Sequence, residues 1–312
     1  MTDLVKIVDC LAYQPKDRLD LIELSEKFNT DADFLKNKTG FLKVARKSPE
    51  QTASDLAEKA VLLAFEKDPS LRSRAKCLIV VTQNPDGFGL PHASAILHQK
   101  LDLPKDVAAF DISLGCSGWV YGLSIATSFM QANNIEDGLL VTSDPYSSVL
   151  DPDDRNTQLL FGDAATVTVL SQAKSGWSPG RFKFGTDGSG ASSLMVDETR
   201  TLHMNGRAVF NFSAKVAPVC IRETLADNKL DLDDVDQVVL HQGSRYIVDT
   251  IGKRIGKPEK TPFFENDIGN SVSSTIPMIL ASGACDQSKK IVVCGFGVGL
   301  SWAATVLTNH RN

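Results

Sequence analysis

The sequence predicts a layered α/β fold assembled from two copies of one βαβ-type half. Three observations lead there. First, the chain of 312 residues is 42% hydrophobic but only 7% aromatic, so its core relies on small aliphatic side chains, which suit packed helix and sheet layers better than an antiparallel sandwich. Second, four segments recur in the same order. Third, helical patterns of two different kinds fill the intervals.

The repeats begin with "KCLIVVTQ" (76–83) and "DQVVLHQ" (236–242), each a β-branched run ending in a polar residue and Gln. Both are expected as buried parallel strands. Next, "AAFDISLGCSG" (108–118) lines up with "PFFENDIGNSV" (262–272), which sets Gly115-Cys116-Ser117 against Gly269-Asn270-Ser271. "DGLLVTSDPYSS" from Asp137 then answers "KKIVVCGFGVG" from Lys289, and "AATVTVL" (164–170) answers "AATVL" (303–307). Collinearity divides the chain into halves 1–170 and 171–312, joined through the Ser-, Gly- and Pro-rich "SQAKSGWSPGRF" (171–182).

"SPEQTASDLAEKAVLLAFEK" (48–67) places Leu56, Ala60, Leu63 and Ala64 on one face and opens with Ser-Pro-Glu, the signature of an amphipathic helix. The stretch after Cys116 is different. Trp119, Val120, Leu123, Ile125, Ala126, Phe129 and Met130 cover most of its circumference, so it is expected to be buried on nearly all sides, with its first turn inside the molecule.

Charge and cysteine usage exclude several functions. A net charge of −5 offers no basic footprint for nucleic acid. No apolar run is long enough to span a membrane, and acidic residues stand at the N-terminus where a secretory signal is basic, so a cytoplasmic protein is expected. The six cysteines show no CxxC spacing, which argues against both a zinc site and a disulfide framework.

Cys116 sits between a tight Gly turn and a helix start, where unpaired N–H groups and the helix dipole favour a thiolate; Gly118 is expected to leave room above the sulfur. A core cysteine on a turn is the alternative. Of five histidines, only His241 comes directly off a buried strand, where open α/β sheets place functional side chains, although a satisfied core histidine also fits. Asn270 occupies the position in the second half that Cys116 holds in the first, and its plainer reading is a helix cap. A Cys, His, Asn order also occurs in papain-like proteases, but those lack an internal duplication.

With these segments in view, the chain resembles the thiolase-fold condensing enzymes, specifically the β-ketoacyl-acyl-carrier-protein synthase III family. "GCSGWVYGL" is similar to its nucleophile motif, "HQGSRYIVDTI" to its histidine motif and "GNSVSSTIP" to its asparagine motif; "NKTGF", "RNTQLLFGDAA", "MNGRAVFNF" and "GFGVGLSW" are further landmarks. The resemblance implies an αβαβα sandwich, a homodimer, and a reaction in two stages without a cofactor or metal. Acyl-CoA would load Cys116, and a malonyl thioester on acyl carrier protein would then decarboxylate and attack the acyl group. His241 and Asn270 would donate hydrogen bonds to the malonyl thioester oxygen. The backbone N–H of Cys116 and an N–H from the turn at Gly297 and Gly299 would form the oxyanion hole.

Departures fall at substrate-facing positions. Phe34 and Lys38 stand where relatives carry Trp and Arg to grip CoA, Ser244 replaces an Asn, and Leu90 takes a position, commonly Phe, that reaches into the partner's acyl tunnel; Arg155 is retained. These changes leave open a primary fatty-acid role or a specialised-metabolite one. Lys215 and Arg222 are candidates to receive an acidic carrier protein. Two rivals remain: acyl transfer on the same fold without decarboxylation, and a non-catalytic subunit of a condensing complex, which retention of Cys116 opposes.

Overall fold

A computed structural model describes residues 5–173, 175–265 and 267–310. Nine strands join in one hydrogen-bonded sheet: β1 Lys6–Tyr13, β2 Ala75–Val81, β3 Ala108–Ile112, β4 Asp137–Ser143, β5 Ala165–Ser171, β6 Trp177–Thr186, β7 Gln237–Leu240, β8 Lys290–Gly297 and β9 Ser301–Asn309. Their order is β7-β8-β9-β6-β1-β5-β4-β2-β3. The β1–β6 junction is a single register pair, Ile7 with Trp177, so the strands up to residue 171 and those from residue 177 form two half-sheets hinged at that point.

The β-branched runs end up where their pattern requires. β2 pairs in parallel with β3 and β4, and β7 pairs in parallel with β8; β2, β4, β7 and β8 are almost wholly buried, as expected of strands covered on both faces, whereas the edge strand β3 is mostly half-buried. Helices α1 (Ala53–Lys67) and α2 (Ala93–Lys100) cover the outside of the first half-sheet, and α4 (Gly206–Asp227) with α5 (Arg245–Ile255) covers the outside of the second. Between the half-sheets lie α3 (Gly118–Ala132) and α6 (Thr275–Ala281), both packed against strands from each side. The layers are therefore helix, sheet, helix, sheet, helix.

The largely apolar circumference of α3 explains its place: Trp119, Val120, Leu123, Ala126 and Met130 join β2, β4, β8 and β9 in one core cluster, while Ile125 and Ser128 are exposed on the remaining side. Helix α1 begins at Ala53 rather than Ser48, because Thr52 and Asp55 form a capping box, with Asp55 accepting from the Thr52 N–H at 2.8 Å. The second half departs from the first around 262–265. No strand forms there among the described residues; instead Phe264 donates its N–H to the Gln242 side chain at 3.0 Å and the Phe263 ring packs on Phe41.

Candidate active site

The nucleophile candidate is held by a turn and capped by a helix. Cys116 lies one residue before Ser117, the N-cap of α3, and is 6% exposed. The glycine that leaves space for its sulfur is Gly297, at the end of β8: a Cβ there would lie 2.7 Å from Sγ. Gly118, expected to do this, serves packing instead, since a Cβ on it would run into Val81 at 2.5 Å.

His241 follows β7 directly and is 3% exposed. Its Nδ1 lies 2.8 Å from the Thr275 hydroxyl. Asn270, also 3% exposed, receives the Val272 N–H on Oδ1 at 2.9 Å, which fixes the amide orientation and turns Nδ2 toward the Gly243 carbonyl at 3.5 Å. His241 and Asn270 both line the same cavity of about 610 Å³ as Cys116, a convergence that a core imidazole and a capping amide do not by themselves require. Phe161, Leu194, Met204 and Phe296 supply much of its apolar wall.

Burial dominates the electrostatics. It pushes the Cys116 thiol up to about 12, against the hydrogen bonds from the Val298 and Cys116 N–H groups and with a further push from the Asp144 charge. The thiolate expected from the helix start is thus outweighed by desolvation, and the resting group is a thiol. Burial also lowers His241 to about 3, opposed by a hydrogen bond to the Val272 carbonyl, so the imidazole is neutral. Of the two backbone N–H groups at the sulfur, the one from the β8–β9 turn belongs to Val298. It falls within the expected glycine turn, between Gly297 and Gly299, and of these two glycines Gly297 lines the cavity.

Sequence reasoning missed four residues here. Val272, Val298 and Thr275 act through backbone groups or a single hydroxyl and read as ordinary core or helix positions. Asp144, fully buried at the end of β4, had a signal in "VTSDPY", a carboxylate closing an apolar strand. It accepts from the Gln83 N–H at 2.7 Å and from the Ser273 hydroxyl, while burial pushes its carboxyl up to about 6.

The substrate-facing candidates cluster at the mouth. Phe34, Lys38, Arg155 and Ser244 all line the cavity. The Arg155 guanidinium lies 5.6 Å from the Phe34 ring centroid, and Lys38 Nζ lies 3.8 Å above the Tyr246 ring. Ser244 caps α5 through Ile247. Leu90 is elsewhere: it is 87% exposed and outside the cavity of the single chain. Lys215 and Arg222 are exposed on α4, Arg222 donating to the Arg254 carbonyl at 2.7 Å. Among the described residues no cluster of His, Cys, Asp and Glu could hold a metal ion.

Two family profiles match the chain: 3-oxoacyl-[acyl-carrier-protein] synthase III over residues 110–188, and its C-terminal counterpart over residues 225–309. A β-ketoacyl-[acyl-carrier-protein] synthase III of Deinococcus deserti is 31% identical over 314 residues, covering 96% of this chain and 89% of the relative. The chain belongs to the β-ketoacyl-acyl-carrier-protein synthase III family. The corresponding protein of Clostridium acetobutylicum is 30% identical, with 97% and 98% covered. A crystal structure of a 3-oxoacyl-(acyl-carrier-protein) synthase III superimposes with a TM-score of 0.92 at 31% identity, covering 98% and 99% of the two chains. The layered sandwich is accordingly the thiolase fold, and the protein is a condensing enzyme of the acyltransferase type.

Proposed function

We propose that this synthase III family member takes an acyl group from acyl-CoA onto Cys116 and condenses it, with loss of CO2, with malonyl-acyl-carrier protein. The observation that carries the reading is the convergence of Cys116, His241 and Asn270, from three separate segments, on one apolar-walled cavity. Because the sulfur is a thiol and the imidazole neutral, loading begins with transfer of the thiol proton to His241 Nε2 as sulfur attacks the acyl carbonyl. The N–H groups of Cys116 and Val298 stand next to the sulfur on which the thioester forms and supply the oxyanion donors. Negative charge then develops on the malonyl thioester oxygen as CO2 leaves. Asn270 Nδ2, whose contact among the described residues is a long one to the Gly243 carbonyl, can bond it, and His241 Nε2–H is the second donor.

At the mouth, Phe34 and Arg155 would hold the adenine of CoA between ring and guanidinium, and Lys38 and Arg207 would meet its phosphates. Lys38 serves as a point charge. The exposed cations Lys215 and Arg222 on α4 support docking of an acidic carrier protein. A homodimer accounts for the unpaired edge strand β3 and for the exposed Phe88, Leu90, Ile125 and Phe184; Leu90 would then close the partner's acyl pocket. Six free thiols fit a cytoplasmic setting, and no helix among the described residues is long and apolar enough to cross a membrane.

Incubation with acyl-CoA and malonyl-acyl-carrier protein tests the reading. CO2 release with formation of a β-ketoacyl product supports it, while acyl transfer without CO2 would assign the site to simple transfer.

A further inference from the structure

His241 is asked for opposite proton states in the two stages proposed above. Accepting the Cys116 proton needs a lone pair on Nε2, whereas bonding the malonyl oxygen needs Nε2–H. Nδ1 must therefore be protonated in one stage and bare in the other.

The partner of Nδ1 is built for both. Thr275 Oγ1 lies 2.8 Å from Nδ1 and 3.3 Å from the Val272 carbonyl. The hydroxyl can accept from Nδ1–H while donating elsewhere, or donate to bare Nδ1. Thr275 also lines a second cavity, of about 420 Å³, which shares no lining residue with the cavity of Cys116; exposed Gln14 and Glu265 are among its lining residues and connect it to solvent. His241 does not line that cavity, whereas Thr275 both lines it and contacts the ring, so Thr275 links the imidazole to water that can enter there.

We infer that the Thr275 hydroxyl is a proton relay between His241 Nδ1 and the second cavity, which sets the imidazole tautomer for each stage. The inference rests on the condensing reading. In loading, the Cys116 proton moves to Nε2, the sulfur–acyl bond forms and the CoA–acyl bond breaks. The CoA thiolate leaves and takes a proton from solvent. The imidazolium passes its Nδ1 proton through Thr275 to water, which leaves Nε2–H facing the malonyl oxygen. In condensation the bond to CO2 breaks, the new carbon–carbon bond forms, and the Cys116–acyl bond breaks to a thiolate. That thiolate takes the Nε2 proton, the Thr275 hydroxyl proton moves to Nδ1, and water in the second cavity restores the hydroxyl. One proton is consumed per condensation, as the stoichiometry demands, and the resting tautomer returns.

Thr275→Val removes the hydroxyl at nearly constant volume and leaves the Val272 carbonyl as a partner of the ring. It is expected to acylate Cys116 within about threefold of the wild-type rate, while CO2 release from malonyl-acyl-carrier protein on the preloaded enzyme falls about 100-fold, the scale of one lost proton-transfer group. Thr275→Ser is expected to recover most of that loss. Equal effects on both stages, or none, would overturn the relay. A second measurement does not depend on the variant folding: in wild-type enzyme carrying 15N-histidine, His241 should be Nδ1-protonated when free and Nε2-protonated when acylated and saturated with a sulfonate analogue of malonyl-CoA. The same tautomer in both states would overturn the relay as well. If the wild-type enzyme loads acyl groups but releases no CO2, the condensing reading itself fails, a result distinct from either outcome for Thr275.

Discussion

The backbone N–H of Val272 is bonded at 2.9 Å to the side-chain oxygen of Asn270, and this one contact decides which end of the carboxamide faces the cavity. The Val272 carbonyl in turn bonds the His241 ring. A buried residue at φ 55° thus orients both hydrogen-bond donors of the second stage through its backbone alone.

Asn270→Ala should leave acyl loading of Cys116 unchanged and slow CO2 release by about 100-fold or more, the typical cost of one donor to a developing oxyanion. Separate assays of the two stages check this. A parallel loss in loading would mean that Asn270 supports the sulfur rather than the malonyl oxygen.

Gly297→Ala puts a methyl 2.7 Å from Sγ. Loading should fall steeply, and the fold should lose about 1–3 kcal/mol from overpacking in a layer that has no room to yield. Acylation kinetics together with denaturant unfolding measure both. Gly118→Ala, whose Cβ meets Val81 rather than the sulfur, should cost stability with a much smaller effect on loading by the folded fraction.

Acid titration of stability separates two buried groups near the cavity. His241 falls from 6.5 to about 3 on folding, so its contribution is complete above pH 6.5 and is lost as pH drops toward 3. Asp144 rises from 3.8 to about 6, so its contribution is complete below pH 3.8 and is lost as pH climbs through 6. Between about pH 4 and 6 the two oppose each other. Asp144→Asn should therefore make the protein lose stability more steeply on acidification in that window, by up to about 1.4 kcal/mol per pH unit, and His241→Gln should reverse the trend. Urea melts at pH 4, 5, 6 and 7 provide the slopes; unchanged slopes in both variants would contradict the burial argument.

Leu90→Phe should shift the accepted acyl chains toward shorter lengths, because the exposed Leu90 is proposed to enter a partner's pocket. Competition among acyl-CoA substrates of graded length measures it. An unchanged profile would place residue 90 outside the tunnel.

Much of this site was legible because its chemistry is carried by side chains at element ends. Cys116 before a largely apolar helix, His241 after a β-branched strand and Asn270 at the matching place in the second half are all readable from residue type and position. The supporting groups were not. Val272 and Val298 contribute backbone atoms, so their apolar side chains signal only burial, and Thr275 reads as the start of a helix. The direction of the Cys116 shift was also misjudged, since a helix start is visible in sequence but the depth of the surrounding layers, which sets the desolvation, is not. The repeat is not matched in structure at Phe263 and Phe264: they line up in sequence with residues of strand β3, but they are apolar because they pack on Phe41 and near Gln242.

Peptide mapping by mass spectrometry after exposure to acyl-CoA tests the central claim most directly, because six free cysteines compete for the label. The acyl group should appear on the peptide carrying Cys116 alone and vanish in Cys116→Ala. Acylation of Cys10, Cys77, Cys220, Cys285 or Cys294 instead, or none at all, would contradict a thioester formed in the cavity shared with His241 and Asn270.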